Sequence, residues 1–172
     1  MMYGSVLSGA LAGHVHGTGA YDVTSTGETA GWRPFVWDAL RFTSGGQMQF
    51  MQRFVLSEGD RYQQLQPASG DLQPRASANV PADGLDGWGF MLRAPDQTLA
   101  LLYFETKAER PEVHGLKPGA NYRWSWYDPR EGSWSAAQVL ATDAGGTLAA
   151  PAFPGDNGAA TRDWAAKLTL RQ

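Results

Sequence analysis

The 172-residue sequence contains no cysteine and has few charged residues. Without cysteine the chain can form no disulfide, offers no thiolate nucleophile and cannot build a cysteine-ligated zinc site. Charged residues make up only 18% of the chain and the net charge is −3, so there is no basic field to attract nucleic acid. Nucleic acid is therefore not expected as a partner.

Long apolar runs are also missing. No stretch approaches the roughly 20 apolar residues that a membrane-spanning helix needs, which predicts a soluble protein without a membrane partner. The sequence has no G-x-S-x-G nucleophile elbow and no glycine-rich loop of the Walker or dinucleotide-binding type. We therefore expect no cofactor. The absence of cysteine suits the cytoplasm and the periplasm equally, so the compartment stays open.

Turn-forming and aromatic residues, by contrast, are abundant: the chain has 21 glycines, 10 prolines and seven tryptophans. Many glycines and prolines are typical of a fold in which numerous short strands are joined by turns. Large aromatic side chains fill cores, and they also form flat surfaces on which sugar rings stack.

Residues 1–66 carry two helical patterns. In the first, Val6 and Leu11 lie on one face of a helix that is rich in small residues, and Gly13 is expected to end it. The second is the clearer one: Thr43 or Ser44 is the expected N-cap, apolar residues follow at spacings of three and four, and Gly59 is the expected C′ residue. Residues 18–42 are predicted to form a loop.

From residue 68 onward the hydrophobic period changes from 3.6 to 2, the period of β-strands. The run Leu99–Phe104 is apolar at every position, which predicts a strand that is buried on both faces. We therefore predict a mainly β protein, with a helical segment over residues 1–66 and an antiparallel β-sandwich over residues 67–172. The clearest strand patterns cover residues 88–93, 99–104, 122–127, 134–139 and 164–170.

Four motifs, taken in order, resemble the C-terminal third of apiosidase-like glycoside hydrolases. Residues 5–17 resemble the segment around the last barrel strand, where a GHTYG-like sequence is usual. Trp37 with residues 45–48 resembles the last barrel helix, and residues 124–132 resemble the WYDPRTG hairpin. Asp163 and Trp164 match a final DW. The resemblance implies the last βα unit of a (β/α)8 barrel, followed by the small C-terminal β-sandwich of these proteins, which is often catalogued as a collagen-binding domain.

The resemblance also implies a limit on activity. Cleavage of a glycosidic bond normally needs two carboxyl groups about 5–10 Å apart, one protonated and one ionised. In the family both lie on earlier barrel strands, and none of the seventeen acidic residues of this chain matches those positions. We therefore expect a carbohydrate-associated part of a glycoside hydrolase that is not catalytic alone, so that whether the chain is an enzyme stays uncertain and its catalytic residues unknown.

Four residues are the candidate substrate-binding set. His14 and His16 stand two positions apart, so on a strand their side chains point the same way, and the resemblance places them at the barrel mouth. The family's tyrosine is His16 in this chain. Trp32 and Trp37 lie in a polar loop, where an indole ring is suited to stacking on a sugar. A metal would need a third ligand that no spacing fixes, so no metal site is predicted, and a plain structural role for the histidines stays open.

Three other constellations have a functional and a structural interpretation. Asp128 and Glu131 are either a carboxylate pair for acid–base catalysis or parts of a hairpin turn that Asp128 caps. Asp83 and Asp86 form either a calcium loop or a turn, and the ligand count of a calcium loop is lacking. Another set of aromatic residues is either a sugar-stacking row or part of the core: Tyr122, Trp124 and Trp126.

Two other functions are kept as alternatives. The first is an active glycoside hydrolase that uses acidic residues of this chain or of a partner chain. The second is a carbohydrate-binding or adhesion module. The expected partners are a carbohydrate and either a second copy of the chain or a chain that supplies the rest of the barrel, because residues 1–66 would otherwise expose a large apolar face.

Overall fold

The computed structural model describes residues 2–11, 41–74, 86–156 and 158–171. Within these ranges the chain forms two α-helices and ten β-strands, which confirms the prediction of a mainly β protein. The helices are α1 (Met2–Leu7) and α2 (Thr43–Val55), and a kinked 3₁₀ segment, Leu56–Gln64, follows α2. None of the helices in the described part of the chain is long and apolar enough to span a membrane.

The strands form two antiparallel sheets. The larger sheet has the order β1-β3-β4-β10-β6-β7, and β8 also pairs with β6. Its strands are β1 (Gln66–Pro67), β3 (Gly89–Arg93), β4 (Leu99–Phe104), β6 (Asn121–Asp128), β7 (Ser133–Trp134), β8 (Gln138–Ala141) and β10 (Trp164–Leu170). The smaller sheet has the order β2-β5-β9, with strands Leu72–Gln73, Glu112–Val113 and Leu148–Ala149.

The central strands of the larger sheet are buried on both faces. All six residues of β4 are buried, as the sequence predicts. On one face, side chains such as Leu102 and Trp124 form a core with residues of the smaller sheet, among them Val113. On the other face, Leu101 and its neighbours form a second core with the helical segment, to which Phe54 of α2 contributes. The helices therefore share a core with the strands that follow them.

Helix α1 lies close against the larger sheet because of one glycine. Gly4 is buried, and a Cβ atom built at this position would lie 2.9 Å from the ring of Phe90 on β3. A side chain at position 4 would have to push this ring or the helix away, so glycine permits the close approach. The contact brings Tyr3 of α1 onto Tyr103 of β4, with the two rings stacked 4.9 Å apart.

The helix ends differ from the prediction. Phe42 is the N-cap residue of α2 and no side chain caps the helix, so Thr43 is already helical and neither Thr43 nor Ser44 is the N-cap. Helix α2 ends at Val55, and Gly59 lies inside the kinked 3₁₀ segment with φ 60° and ψ −136°. Helix α1 ends at Leu7 rather than near Gly13. The polar residues that predicted the start of α2 therefore belong to its first helical turn and are not its cap.

Candidate functional site

The four predicted substrate-binding residues lie outside the described residues. His14, His16, Trp32 and Trp37 all fall within residues 12–40, which the structure does not describe. Their assignment to carbohydrate binding therefore stays a prediction. The third histidine, His114, lies near β5, with its Nδ1 3.2 Å from the Thr147 hydroxyl oxygen.

The aromatic row on β6 belongs to the core. Tyr122, Trp124 and Trp126 are 1%, 0% and 2% exposed and pack with residues of the smaller sheet. Trp126 also lies 5.1 Å from the ring of Phe153, centroid to centroid. A sugar ring cannot reach these faces, so the core interpretation is confirmed for all three residues.

Asp128 caps the turn between β6 and β7. The backbone N–H of Arg130 donates to Asp128 Oδ1 at 2.8 Å, and Arg130 Nη2 donates to Asp128 Oδ2 at 2.5 Å. The Gly132 N–H closes the turn on the Asp128 carbonyl at 2.8 Å. Glu131 is exposed beside this turn. The carboxylate of Asp128 is thus committed to the turn, and the structure supports the capping interpretation.

Asp86 pairs with a lysine rather than with a metal-ligand set. Its Oδ2 lies 2.7 Å from Lys107 Nζ, and both side chains are largely exposed. Asp83 is outside the described residues. Among the residues that the structure does describe, no three His, Asp or Glu side chains are grouped so that they could hold a metal ion.

A small cleft lies where the two helices meet the β6–β7 turn and the start of β10, a site that the sequence interpretation missed. It has a volume of about 260 Å³. Methionines form much of its wall, and Pro129 closes one side. The remaining lining residues carry the polar groups of the cleft: Tyr3, Gln47, Tyr103, Arg130 and Asp163.

Asp163 organises one end of this cleft through its two carboxylate oxygens. Oδ2 accepts a hydrogen bond from the Tyr103 hydroxyl at 2.6 Å. Oδ1 accepts two bonds from Thr106, from the backbone N–H at 2.9 Å and from the hydroxyl at 3.0 Å. The carboxylate therefore positions Tyr103 and the loop after β4. It is not a free acid or base.

Arg130 spans the cleft between Asp128 and β10. Besides its contact with Asp128, it donates from Nη1 to the Asp163 carbonyl at 3.1 Å. Its guanidinium carbon lies 5.0 Å from the centre of the Trp164 indole ring, within range of a cation–π contact. These three contacts fix the position and orientation of the guanidinium, and the Asp128 carboxylate balances its charge.

The two stacked tyrosines are kept protonated. Burial, followed by the nearby Tyr127 and the Asp128 carboxylate, raises the pKa of Tyr3 far above its ordinary value. Burial and the hydrogen bond to Asp163 do the same to the pKa of Tyr103. Both hydroxyls are therefore neutral donors at any physiological pH. The Tyr3 hydroxyl is buried and has no hydrogen-bond partner among the described residues.

A larger apolar groove separates the two helices. Its volume is about 590 Å³, and it is lined mainly by aliphatic side chains, methionines and Tyr62. Leu11 lines one wall, while Met48, Met51 and Val55 of α2 line the other. Gln49 and Gln52 add amide groups to a lining that is otherwise largely apolar, and such a groove is suited to contact with another apolar surface.

The carboxylates of the described residues are engaged mainly in structural contacts. Lys167 Nζ lies 2.7 Å from Glu58 Oε1, and Arg93 Nη2 lies 2.7 Å from Asp71 Oδ2. Four of the seventeen acidic residues fall outside the described ranges: Asp22, Glu28, Asp38 and Asp83. Of the residues that line the small cleft, Asp163 is the one acidic residue, and its carboxylate is held in hydrogen bonds.

No family model matches this sequence. No curated protein matches it either.

Solved structures do resemble the fold. One, a protein described as a glycoside hydrolase, aligns with a TM-score of 0.54 at 16% identity over 80% of this chain and 27% of its own. A glycoside hydrolase family 5 protein from Bacteroides vulgatus ATCC 8482 aligns with a TM-score of 0.54 at 15% identity, over 77% of this chain and 26% of its own. This chain thus spans about a quarter of the length of the structures it matches. At these identities the likeness establishes a shared fold.

Proposed function

We propose that this chain is the C-terminal part, or an accessory module, of a glycoside hydrolase, associated with carbohydrate and not catalytic alone. The observation that carries the proposal is the structural likeness: four-fifths of this chain aligns with about a quarter of a glycoside hydrolase. The order of the sequence motifs over residues 5–17, 124–132 and 163–164 supports the narrower proposal that the parent family is apiosidase-like.

In this proposal residues 1–66 correspond to the last βα unit of a (β/α)8 barrel, and residues 67–172 form a β-sandwich domain. The shared core between the larger and the smaller sheet supports the sandwich, because two sheets that bury one set of side chains are layered face to face. Helix α2 and the groove beside it would then form part of the surface on which the rest of a barrel, or a second chain, packs.

The structural hydrogen bonds of two carboxylates, Asp128 and Asp163, support the non-catalytic part of the proposal. Asp128 and Asp163 are held in hydrogen bonds that build the turn and the cleft. An unaided hydrolase would have to draw its acid and its base from elsewhere. The chain offers Asp22, Glu28 and Asp38 in the range that the structure does not describe.

Hydrolysis assays test this function directly. The purified chain is expected to release no product from aryl glycosides or polysaccharides above the uncatalysed rate. Turnover that is lost in Asp22→Ala, Glu28→Ala or Asp38→Ala, with the melting temperature unchanged, would establish the active hydrolase instead.

Polysaccharide pull-down tests the association with carbohydrate. We expect the chain to be retained on insoluble plant polysaccharides, with weaker retention for Trp32→Ala and Trp37→Ala. Retention by the chain alone without any binding to a barrel-bearing chain would favour the carbohydrate-binding or adhesion module.

Size-exclusion chromatography at several concentrations reports whether the apolar groove is covered by a second copy.

A further inference from the structure

Strand β8 forms an open edge of the larger sheet. It pairs with β6 on one side, and no strand of the described residues pairs with its other side. Its four residues make it the longest edge strand in the part of the chain that the structure describes, since β1, β2, β7 and β9 have two residues each. Three of the four are exposed, and Val139 is 49% exposed. Such an edge offers backbone groups to a further strand.

The hydrogen bonds of β6 and the residue before it show how the backbone alternates. In an antiparallel sheet, successive residues of a strand bond alternately to the neighbour on one side and to the neighbour on the other. The Ala120 carbonyl accepts a bond from the Thr142 N–H at 2.9 Å, on the side of β8. The Asn121 carbonyl accepts a bond from the Arg171 N–H at 2.8 Å, on the side of β10. Even-numbered residues of β6 therefore face β8.

This alternation assigns the backbone groups of β8. Leu140 and Gln138 lie opposite even-numbered residues of β6, so they bond to that strand. Val139 and Ala141 lie opposite odd-numbered residues, so their N–H and C=O groups point away from β6. None of these outward groups has a hydrogen-bond partner among the residues that the structure describes. Two donors and two acceptors thus stand in one line at the edge of the sheet.

The sequence around β8 has none of the features that usually protect such an edge. Exposed edges are commonly blocked by a charged residue, a proline or a bulge. Residues 132–142 contain no charged side chain and no proline. The opposite edge of the same sheet, by contrast, has Pro67 in β1. A further strand can therefore approach β8 without meeting a blocking residue.

The outward groups are also symmetrical about Leu140. A two-fold axis at Leu140 would place Val139 of each copy opposite Ala141 of the other, and each such pair exchanges two hydrogen bonds. All the outward groups of both copies would then be satisfied. The charged residue that lies opposite Val139 on β6 is Arg123. Three strand spacings, about 14 Å, would separate the two copies of Arg123, which is more than the Debye length of about 8 Å at physiological salt.

We propose that β8 is a homodimerisation edge, at which two copies of this chain join their larger sheets through antiparallel pairing of β8 with β8. This surface differs from the apolar groove between the helices, and the inference does not depend on the proposed function. Four-residue strands cover much less than the roughly 800 Å² per partner that a stable dimer buries. The dimer is therefore expected to be weak, with a Kd of about 100 μM.

Sedimentation equilibrium of the full chain, at concentrations below and above this Kd, tests the inference. Val139→Pro removes an outward N–H and places the proline ring where the second strand would lie, while the bonds from β8 to β6 are kept. Because each dimer would lose two hydrogen bonds, we expect dimerisation to weaken at least about tenfold. Leu56→Lys, in the apolar groove, is the control and should leave the dimer unchanged.

A pair of charge variants tests the register. Val139→Lys and Ala141→Glu each bring like charges together in their own homodimers, so each alone should associate more weakly than the unsubstituted chain. In a mixture, the introduced lysine of one variant lies directly opposite the introduced glutamate of the other. The mixture should therefore associate about threefold more tightly than either variant alone. Ala149→Lys, on the exposed position of edge strand β9, is the matched control and should leave dimerisation unchanged.

Three results would overturn the inference. The first is a chain that stays monomeric well above the expected Kd. The second is a dimer that Leu56→Lys disrupts and the Val139 variants do not, because the groove would then be the interface. The third is equal association of the mixed and the single charge variants. Far-UV circular dichroism and melting temperatures show whether Val139→Pro is folded, and the charge variants decide the question if it is not.

Discussion

At the scale of single residues, the polar groups of this protein divide into satisfied and unsatisfied ones. Asp163 is the best satisfied, with three hydrogen bonds that tie β10 to β4 and to the loop that follows it. Glu105 is the opposite case, because its Oε2 is buried without a partner among the described residues. Removing the negative charge should therefore lower the stability of the protein at Asp163 and raise it at Glu105.

Asp163→Asn should destabilise the protein. The amide keeps only one acceptor oxygen, so at least one of the three hydrogen bonds is lost and the negative charge that strengthened the others disappears. We expect the free energy of unfolding to fall by about 1–3 kcal/mol, measured by urea denaturation. In a double-mutant cycle with Tyr103→Phe the two losses should not add, because both remove the same bond. Additive losses would show that the two side chains act independently.

Glu105→Gln should stabilise the protein at neutral pH. Burial, and then the nearby Asp163 and Asp86, raise the pKa of Glu105, so the folded state holds this proton more tightly than the unfolded state does. Ionised Glu105 therefore lowers the free energy of unfolding. This loss grows as the pH rises from the unfolded to the folded pKa of Glu105 and stays constant at higher pH, and Glu105→Gln removes it.

Thermal melts at several pH values measure this effect. The higher melting temperature of Glu105→Gln should be present at pH 7 and should vanish near the unfolded pKa, about 4.3. Glu109→Gln, an exposed substitution four residues along the chain, is the control and should change stability by less than about 0.5 kcal/mol. A gain that persists at low pH would contradict the electrostatic explanation.

At the scale of the elements, strong periodicity made the longer strands predictable. Strands β3, β4, β6 and β10 form where the alternating pattern predicts them. The single strand expected through Trp134 and Val139 is instead two strands, β7 and β8. Next to β7 the Trp126 N–H donates to the Ser135 hydroxyl oxygen at 3.0 Å and not to a backbone carbonyl of that segment, so the regular backbone ladder stops there.

The short elements could not be predicted in the same way. Strands β2, β5 and β9 have two residues each, and two residues carry no period. The cleft was missed for a related reason. Tyr103 and Asp163 are 60 positions apart, and no spacing in the sequence indicates that they lie together.

The turn before β9 depends on Gly146. This residue has φ 78°, and a Cβ atom there would lie 2.2 Å from the backbone oxygen of Leu116, which cannot move aside. Gly146→Ala should therefore cost the conformational strain of about 1–2 kcal/mol and a steric clash in addition. Gly119→Ala, with φ 63° and open space around it, should cost the strain alone. Urea denaturation of both variants separates the two effects; equal losses would show that the β5–β9 sheet yields to the clash.

At the scale of the whole molecule, the helical segment and the sheets share a core. Phe54 of α2 is fully buried, with its ring 5.4 Å from Tyr127 and 5.7 Å from Tyr3. A boundary near Pro67 is proposed from the change in sequence period. The contacts across it nevertheless indicate that the two parts unfold together.

Phe54→Ala should lower the stability of the entire chain and not of the helices alone. Removing a fully buried phenylalanine costs about 3–5 kcal/mol. Helix content followed by far-UV circular dichroism and sheet packing followed by tryptophan fluorescence should show a single transition, shifted equally. Phe42→Ala is the control, since that ring is 39% exposed and its loss should have little effect. Two separate transitions would show that residues 1–66 fold independently.

One consequence follows from the place of β1 in the larger sheet. Gln66 and Pro67 pair with Arg93 and Leu92, and the Ala68 N–H bonds to the Met91 carbonyl, so the connecting chain itself shields the outer margin of an apolar strand. Proline suits that margin, because it presents no N–H to a further strand. A fusion protein that contains the β-rich part of this chain should therefore begin no later than residue 66. Without residues 66–69, strand β3 would become an exposed edge that can pair with a strand of another molecule.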